Sequence, residues 1–252
     1  MKRLTALLAF SFCLRGQTVE PELTADRPGF RNSTHLVGPG VVQVENGLRF
    51  SRDHVLELEP ELRIGTFRWL ELRLQAETVV LRSPEDTGLA GTSDLEVGVK
   101  FPVFNRIKNT RVVAILKSTV PSGHGSQTTG GYEPGAELIW EHKLTEDFSF
   151  AGTWNLTRVK EERFVWQRAA SVSANNSFGK GLRAFAELYV ISPKELGPGN
   201  DWTVDAGVMR VVGKFVMIDL AAGHSVHGPP DWFMTVGFSV RTRVPYTRRS
   251  PF

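Results

Sequence analysis

The sequence predicts an all-β protein, an antiparallel up-and-down transmembrane β-barrel of about 12 strands. Apolar and polar residues alternate with a period of two through almost every segment between residues 41 and 243, as in strands that have one apolar face. The segments are roughly ten residues long, which suits a tilted crossing of a bilayer. An export signal precedes them. Together these observations favour a barrel whose apolar face meets lipid.

The first 16 residues have the layout of a secretory signal peptide. A basic start, Met1-Lys2-Arg3, is followed by an apolar run to Leu14 and a polar step at Arg15. The run is too short to span a bilayer. We expect cleavage before Gln17, and a cut nearer Cys13 stays open. Because Cys13 is the only cysteine, the exported chain would contain no disulfide and no thiolate metal site.

Charge gives no reason to propose a nucleic acid as a partner. The whole chain has a formal charge of +3, with 30 Lys and Arg against 27 Asp and Glu. Three of the basic residues, Lys2, Arg3 and Arg15, belong to the signal peptide, so the exported chain is balanced.

Residues 17–40 are predicted to form an irregular N-terminal entry peptide, because proline, glycine and turn-forming residues interrupt any period. Asp26-Arg27-Pro28 would form a bend within it. The barrel is predicted over residues 41–243, and residues 244–252 form a C-terminal tail. Pro245 and Pro251 make that tail a poor last strand.

The alternation defines twelve strands. In the third, Leu70, Leu72 and Leu74 alternate with Glu71 and Arg73, and a helix turning about 100° per residue would spread both sets around its surface. The predicted strands are 41–50, 56–64, 70–82, 95–103, 110–120, 136–144, 148–156, 166–175, 182–190, 202–208, 216–222 and 232–240.

Two strands depart from clean alternation. Val113 and Ile115 share a phase with Arg111 and Lys117, so we expect an apolar patch on the otherwise polar face. Arg168 falls in the apolar phase, and we assign it to an interfacial position.

The connections and the tryptophans suit an outer-membrane barrel. The connections after even-numbered strands are mostly short, whereas those after strands 3, 5, 7, 9 and 11 are longer and polar, including the stretch 157–163. Five tryptophans in the apolar phase suit interfacial girdles: Trp140, Trp154, Trp166, Trp202 and Trp232. A soluble exported β-sandwich has the same period with its apolar face inward, and it stays the alternative fold.

The opening Thr24-Ala-Asp-Arg-Pro-Gly-Phe30, with Gln43-Val-Glu45, resembles the start of the bacterial MetA-pathway-of-phenol-degradation or transporter-like outer-membrane family. Ser93–Lys100, Val120–Gly123 and Val236–Arg241 are similar to further motifs of that family. The resemblance implies an outer-membrane barrel that takes up small, often aromatic, molecules. The terminal Phe252 resembles the aromatic residue that the barrel-assembly machinery recognises.

If the apolar phase faces lipid, the polar phase lines the lumen. The charges there could form ion pairs that cross-link the interior, or they could line a polar path for solutes, and we expect water inside. The predicted lumen-lining residues are Glu45, Arg49, Glu57, Glu59, Glu61, Arg63, Glu71, Arg73, Glu96, Lys100, Glu137, Glu141, Arg183, Glu187, Asp205, Asp219 and Arg241.

Asp26, Arg27 and Pro28 of the entry peptide are candidates for a plug at the periplasmic mouth. Arg27 would then pair with lumenal glutamates. The alternative is a disordered leader.

The sequence predicts no enzyme. The outer loops group His124 with Ser122 and Ser126, and His224 with His227 and Asp231. No nucleophile elbow or zinc-protease motif accompanies them. We therefore predict no catalytic residue, no metal and no cofactor.

The leading functional hypothesis is an outer-membrane channel or transporter for small solutes, aromatic or other hydrophobic molecules among them. Its expected partners are outer-membrane lipid, a small-molecule solute and the barrel-assembly machinery. The alternative is a non-conducting structural or surface-interaction barrel.

Overall fold

The computed structural model describes residues 23–52, 55–76, 78–81, 91–104, 107–160, 163–193 and 199–243. The predicted signal peptide (1–16) and C-terminal tail (244–252) lie outside these residues. Among the described residues, no helix has the length and apolarity needed to cross a membrane.

The described strands form a closed antiparallel barrel of twelve strands, as the sequence predicts. Each strand pairs with its neighbours in sequence, and the last pairs with the first from Val41↔Arg243 to Ser51↔Phe233. The strands are β1 (Val41–Ser51), β2 (Leu56–Leu58 and Glu61–Phe67), β3 (Leu70–Gln75 and Thr78–Leu81), β4 (Gly91–Thr92 and Leu95–Phe104), β5 (Thr110–Val120), β6 (Pro134–Lys143), β7 (Phe148–Lys160), β8 (Phe164–Ser177), β9 (Leu182–Ile191), β10 (Asp201–Val212), β11 (Val216–His227) and β12 (Trp232–Arg243).

Strands β2 and β3 are interrupted at the same height. The break in β2 contains Pro60, which has no N–H to give to the ladder. The N–H of Ala76, at the break in β3, donates to the Pro60 carbonyl at 3.2 Å, so the two breaks face each other.

Both ends of the barrel sequence lie at one mouth, where β1 begins and β12 ends. The described connections at that mouth are short, as at the periplasmic side of outer-membrane barrels. We call it the periplasmic mouth and the opposite end the loop mouth.

The prediction of a long polar connection over 157–163 is wrong. Strands β7 and β8 stay paired as far as Lys160↔Phe164, so the connection is short. These strands have 13 and 14 residues, which is more than a bilayer crossing needs. Their extra residues extend beyond the membrane as a hairpin, and both faces of that hairpin contact water. The apolar alternation therefore ends before the strands do.

The polar phase faces inward and the apolar phase faces outward. Glu45, Arg63 and Lys100 are 0% exposed, whereas Val236 is 53% exposed and Trp154 is 56% exposed. A soluble sandwich would show the reverse, because its apolar phase forms the core. The protein is therefore an outer-membrane β-barrel rather than a soluble sandwich.

Candidate functional site: a peptide inside the barrel

The lumen is occupied by residues 23–40, which we call the lumenal peptide. Its first residues, Leu23 and Ala25, pack with Met217 near the periplasmic mouth. The chain then rises to a tip at residues 27–30, where the Arg27–Pro28 bond is cis, and descends again to β1. The N–H of Gly40 donates to the carbonyl of Gly65 at 2.9 Å, near the periplasmic end of β2.

Asp26 lies in a pocket of three cations from the barrel wall. Nζ of Lys100 is 3.0 Å from its carboxylate, and Nη1 of Arg63 is 3.4 Å away. Arg73 also donates a hydrogen bond to it. Burial alone would raise the pKa of Asp26, but Arg63, Lys100 and Arg73 hold it well below its usual range. The carboxylate is therefore ionised and held on three sides.

Wall carboxylates orient those cations. Glu71 accepts from Nε of Arg63 at 2.8 Å, and Glu61 pairs with Arg73. The N–H of Asp26 donates to Glu45 at 2.9 Å. Opposite charges thus alternate around Asp26, which limits the electrostatic penalty of burying them.

Arg27 lies in a second pocket of opposite sign. Its guanidinium pairs with Glu59, donates to Oγ1 of Thr235 at 2.7 Å and lies 3.7 Å from Asp219. The prediction that Arg27 meets lumenal glutamates is consistent with this contact to Glu59.

Two glycines make room for Arg27. Gly47 and Gly237 lie directly opposite each other where β1 meets β12. A Cβ on Gly47 would lie 1.8 Å from Nη2 of Arg27, and one on Gly237 would lie 2.7 Å from its Nε. The guanidinium therefore occupies space that side chains fill elsewhere on the wall.

The descending limb of the peptide contacts strands on the other side of the lumen. The ring of Phe30 stacks on Tyr189 with centroids 4.5 Å apart. Nδ2 of Asn32 donates to Glu137 at 2.8 Å, and the hydroxyl of Thr34 donates to Glu141 at 2.7 Å. The peptide thus bridges opposite walls.

The apolar patch that the sequence predicts on β5 lies under this limb. Val113 and Ile115 are buried with Ile139 of β6, and Leu36 packs against them. An apolar side chain of the peptide therefore explains apolar residues in a polar lumen.

His35 adjoins Arg111 and Glu141 in the descending limb. Burial, and after it the Arg111 guanidinium, lower the pKa of His35 to about 4, while Glu141 acts in the opposite direction. His35 is therefore neutral at pH 7.

A cavity of about 210 Å³ remains between the lumenal peptide and strands β6–β10. Its lining is mixed: Arg31, Glu141, Arg183 and Glu187 contribute charge, and Phe148, Phe185 and Met209 contribute apolar surface. Pro28 lies on its wall at the tip of the peptide.

The predicted lumen-lining residues fall on the inward face. Six are half-buried: Arg49, Glu57, Glu59, Glu96, Glu141 and Arg183. The other eleven are buried: Glu45, Glu61, Arg63, Glu71, Arg73, Lys100, Glu137, Glu187, Asp205, Asp219 and Arg241.

Sequence reasoning missed the residues that shape the lumen without charge. Nothing in the sequence marks Gly47 and Gly237 as such residues. Three aromatic residues could have been found, because Phe185, Tyr189 and Phe233 lie in the polar phase of their strands. All three are buried in the structure.

His124 and Ser122 of the outer loops bond to neighbouring residues of the barrel. Nδ1 of His124 is 2.8 Å from the hydroxyl of Thr92, and Oγ of Ser122 bonds to main-chain atoms of Val120 and Leu95. No cluster of three potential metal ligands occurs in the described part of the chain.

Comparisons with known proteins agree with the fold. A family model described as putative MetA-pathway of phenol degradation matches residues 25–242, which confirms the resemblance. The KdgM porin in complex with disordered oligogalacturonate has a TM-score of 0.59 at 12% identity, over 79% of this chain and 98% of its own. The COG4313 outer membrane channel from Pseudomonas putida has a TM-score of 0.59 at 10% identity, over 82% and 97%. No curated protein matches the chain.

Proposed function

The chain belongs to the putative MetA-pathway of phenol degradation family, and on that premise we propose that it is an outer-membrane channel for small solutes. The channel is the lumen, and the lumenal peptide controls passage through it. Aromatic and other hydrophobic molecules are among the proposed solutes. We propose transport rather than catalysis, with outer-membrane lipid and the barrel-assembly machinery as further partners.

Within this proposal the chain has four parts. Residues 1–16 direct export, residues 17–40 form the entry peptide, residues 41–243 form the barrel, and residues 244–252 form a tail.

The observation that carries the proposal is the chemistry of the contact between the peptide and the wall. Charged pairs and hydrogen bonds hold most of the peptide, as at Asp26 and Arg27. Such groups regain hydration when they separate, so the peptide can leave without exposing a large apolar core. The cavity beside it, lined in part by charged residues, supplies the start of an aqueous path.

The same network also supports the alternative function, a non-conducting structural or surface-interaction barrel. A permanent filling of the lumen would use these contacts too. Conductance in planar lipid bilayers separates the two functions.

We expect a variant that lacks residues 20–33 to conduct at least several-fold more than the wild type. Asp26→Asn should raise the open fraction, because Lys100, Arg63 and Arg73 lose their common carboxylate. Asp201→Asn, which changes an exposed carboxylate at the loop end of β10, should behave as wild type.

A deletion variant that folds but does not conduct would instead establish the non-conducting barrel. Liposome swelling with sugars and with aromatic acids then identifies the solutes that pass.

A further inference from the structure

Two carboxylates face each other in the lumen beside the tip of the lumenal peptide. Glu187 of β9 and Asp205 of β10 are directly paired across the two strands and are 4% and 5% exposed. Both carboxylate oxygens of Asp205 and Oε1 of Glu187 lack a hydrogen-bond partner among the described residues. Buried charges are costly without a partner, so this pair can bind a positive group.

The peptide uses only one of the four oxygens. Oε2 of Glu187 accepts from the N–H groups of Phe30 at 2.9 Å and Arg31 at 3.3 Å. These bonds fix the position of Glu187, which lines the cavity, and its other oxygen and both oxygens of Asp205 have no hydrogen-bond partner among the described residues.

Two guanidinium groups of the lumenal peptide near the pair are engaged elsewhere. Arg27 binds Glu59 and Thr235, and the side chain of Arg31 binds Ser173 and Asn175.

Arg49 is held in the same way. Its guanidinium lies 4.0 Å from the ring centroid of Phe233 and 3.9 Å from Glu57.

Aromatic rings adjoin the two carboxylates. The Phe30–Tyr189 stack lies beside Glu187, which accepts from the N–H of Phe30. The ring of Phe233 packs over Gly223, the residue that pairs with Asp205, and the Arg49 guanidinium already lies over that ring. Aromatic faces attract organic cations. A hard metal ion would need six or so oxygen ligands, and the described residues offer no cluster of three. The surroundings therefore suit an amine better than a metal.

We propose that Glu187 and Asp205 form a binding site for the ammonium or guanidinium group of a small organic cation. The inference rests on the proposed channel function and narrows its solutes to those that carry a positive charge, with an apolar or aromatic remainder. Asp205 is near the loop end of its strand, so a solute that enters through the loop mouth meets this site at the peptide tip.

Binding to the full-length exported protein in detergent tests the site directly. Benzylamine and benzoate are the probes, because they share a ring and differ in the sign of their charge. We expect calorimetry to give at least about tenfold tighter binding for benzylamine. Asp205→Asn and Glu187→Gln should each weaken benzylamine binding by about tenfold, and Asp201→Asn on the same strand should leave it unchanged.

Equal affinity for benzylamine and benzoate overturns the inference. An equal loss of benzylamine affinity in Asp205→Asn and in Asp201→Asn also overturns it. If Asp205→Asn fails to fold, Glu187→Gln and the wild-type comparison decide alone. The assay needs no open pore. Selective amine binding without conductance in any variant would support the binding site and refute the channel. Conductance without a preference for the amine would support the channel and refute the binding site.

Discussion

At the scale of single residues, the position of the lumenal peptide depends on two glycines that have no chemistry of their own. Gly47 and Gly237 leave a slot in the wall, and the guanidinium of Arg27 lies in it beside Glu59 and Thr235. A side chain in the slot would displace the guanidinium rather than the backbone, because Arg27 is long and flexible.

Gly47→Ala should therefore loosen the peptide. Overpacking of this kind costs about 1–3 kcal/mol, measured as the free energy of unfolding in detergent with denaturant. The matched control is the double variant Arg27→Ala with Gly47→Ala, in which the new methyl group meets no guanidinium. In the Arg27→Ala background, Gly47→Ala should lower the free energy of unfolding much less than it does in the wild type. An equal loss from Gly47→Ala in the wild type and in Arg27→Ala would show that Gly47 acts through strand conformation and not through Arg27.

The sequence could predict the charges of the site better than its shape. Asp26 and Arg27 stood out because they belong to a motif in a segment without period, and a pairing of Arg27 with lumenal glutamates followed from charge. The slot at Gly47 could not be predicted, because a glycine in a strand does not indicate what fills the space above it. Nor could the partner of Asp26 be chosen from among the lumenal cations, since strand pairing alone does not fix the height of the peptide.

At the scale of elements, one carboxylate organises the loop between β5 and β6. Asp94, at the break in β4, accepts hydrogen bonds from the N–H groups of Ser122, Gly123, Thr129 and Gly130 and from the hydroxyl of Thr128. Burial alone would raise the pKa of Asp94, but these hydrogen bonds hold it well below its usual range. The loop therefore has a fixed conformation at the loop mouth.

Asp94→Ala should release this loop. Loss of several hydrogen bonds to a charged group costs about 2–4 kcal/mol of local stability, so proteolysis within residues 121–133 should rise at least about tenfold. Mass spectrometry of fragments after mild digestion measures the rate. Asp147→Ala, at an exposed turn of the periplasmic mouth, is the control and should leave cleavage of the loop unchanged. Identical fragment patterns for the two variants would mean that other contacts hold the loop.

At the scale of the whole molecule, barrel closure brings together motif residues that are far apart in the chain. Asp26 contacts Glu45 of β1 and Lys100 of β4, and Arg27 lies against Gly237 of β12. These residues belong to the separate motifs on which the family resemblance rests. Their convergence on the lumenal peptide gives the motifs a common physical role, which is to hold the peptide in the lumen.

The period of two predicted the number of strands and which residues share a face, because both follow from local alternation. It left open whether the apolar face turns outward to lipid or inward to a soluble core. It could not predict that a peptide fills the lumen. The phase of a residue indicates its side of the wall, and Val113 and Ile115 signalled an inward apolar contact without identifying Leu36 as the partner.

The outward apolar face leads to a prediction that depends on the bilayer itself. Val236 lies midway along β12 with 53% of its surface exposed, and Val212 lies at the periplasmic end of β10 with 50% exposed. Val236→Arg should lower the free energy of unfolding from lipid vesicles by about 2–4 kcal/mol, because the charge lies in hydrocarbon. Val212→Arg should cost only about 0–1 kcal/mol, because its charge reaches the interface. Denaturant titrations followed by tryptophan fluorescence give both values. Equal costs at the two sites would contradict a membrane belt centred on Val236, since the two valines are almost equally exposed and differ mainly in depth.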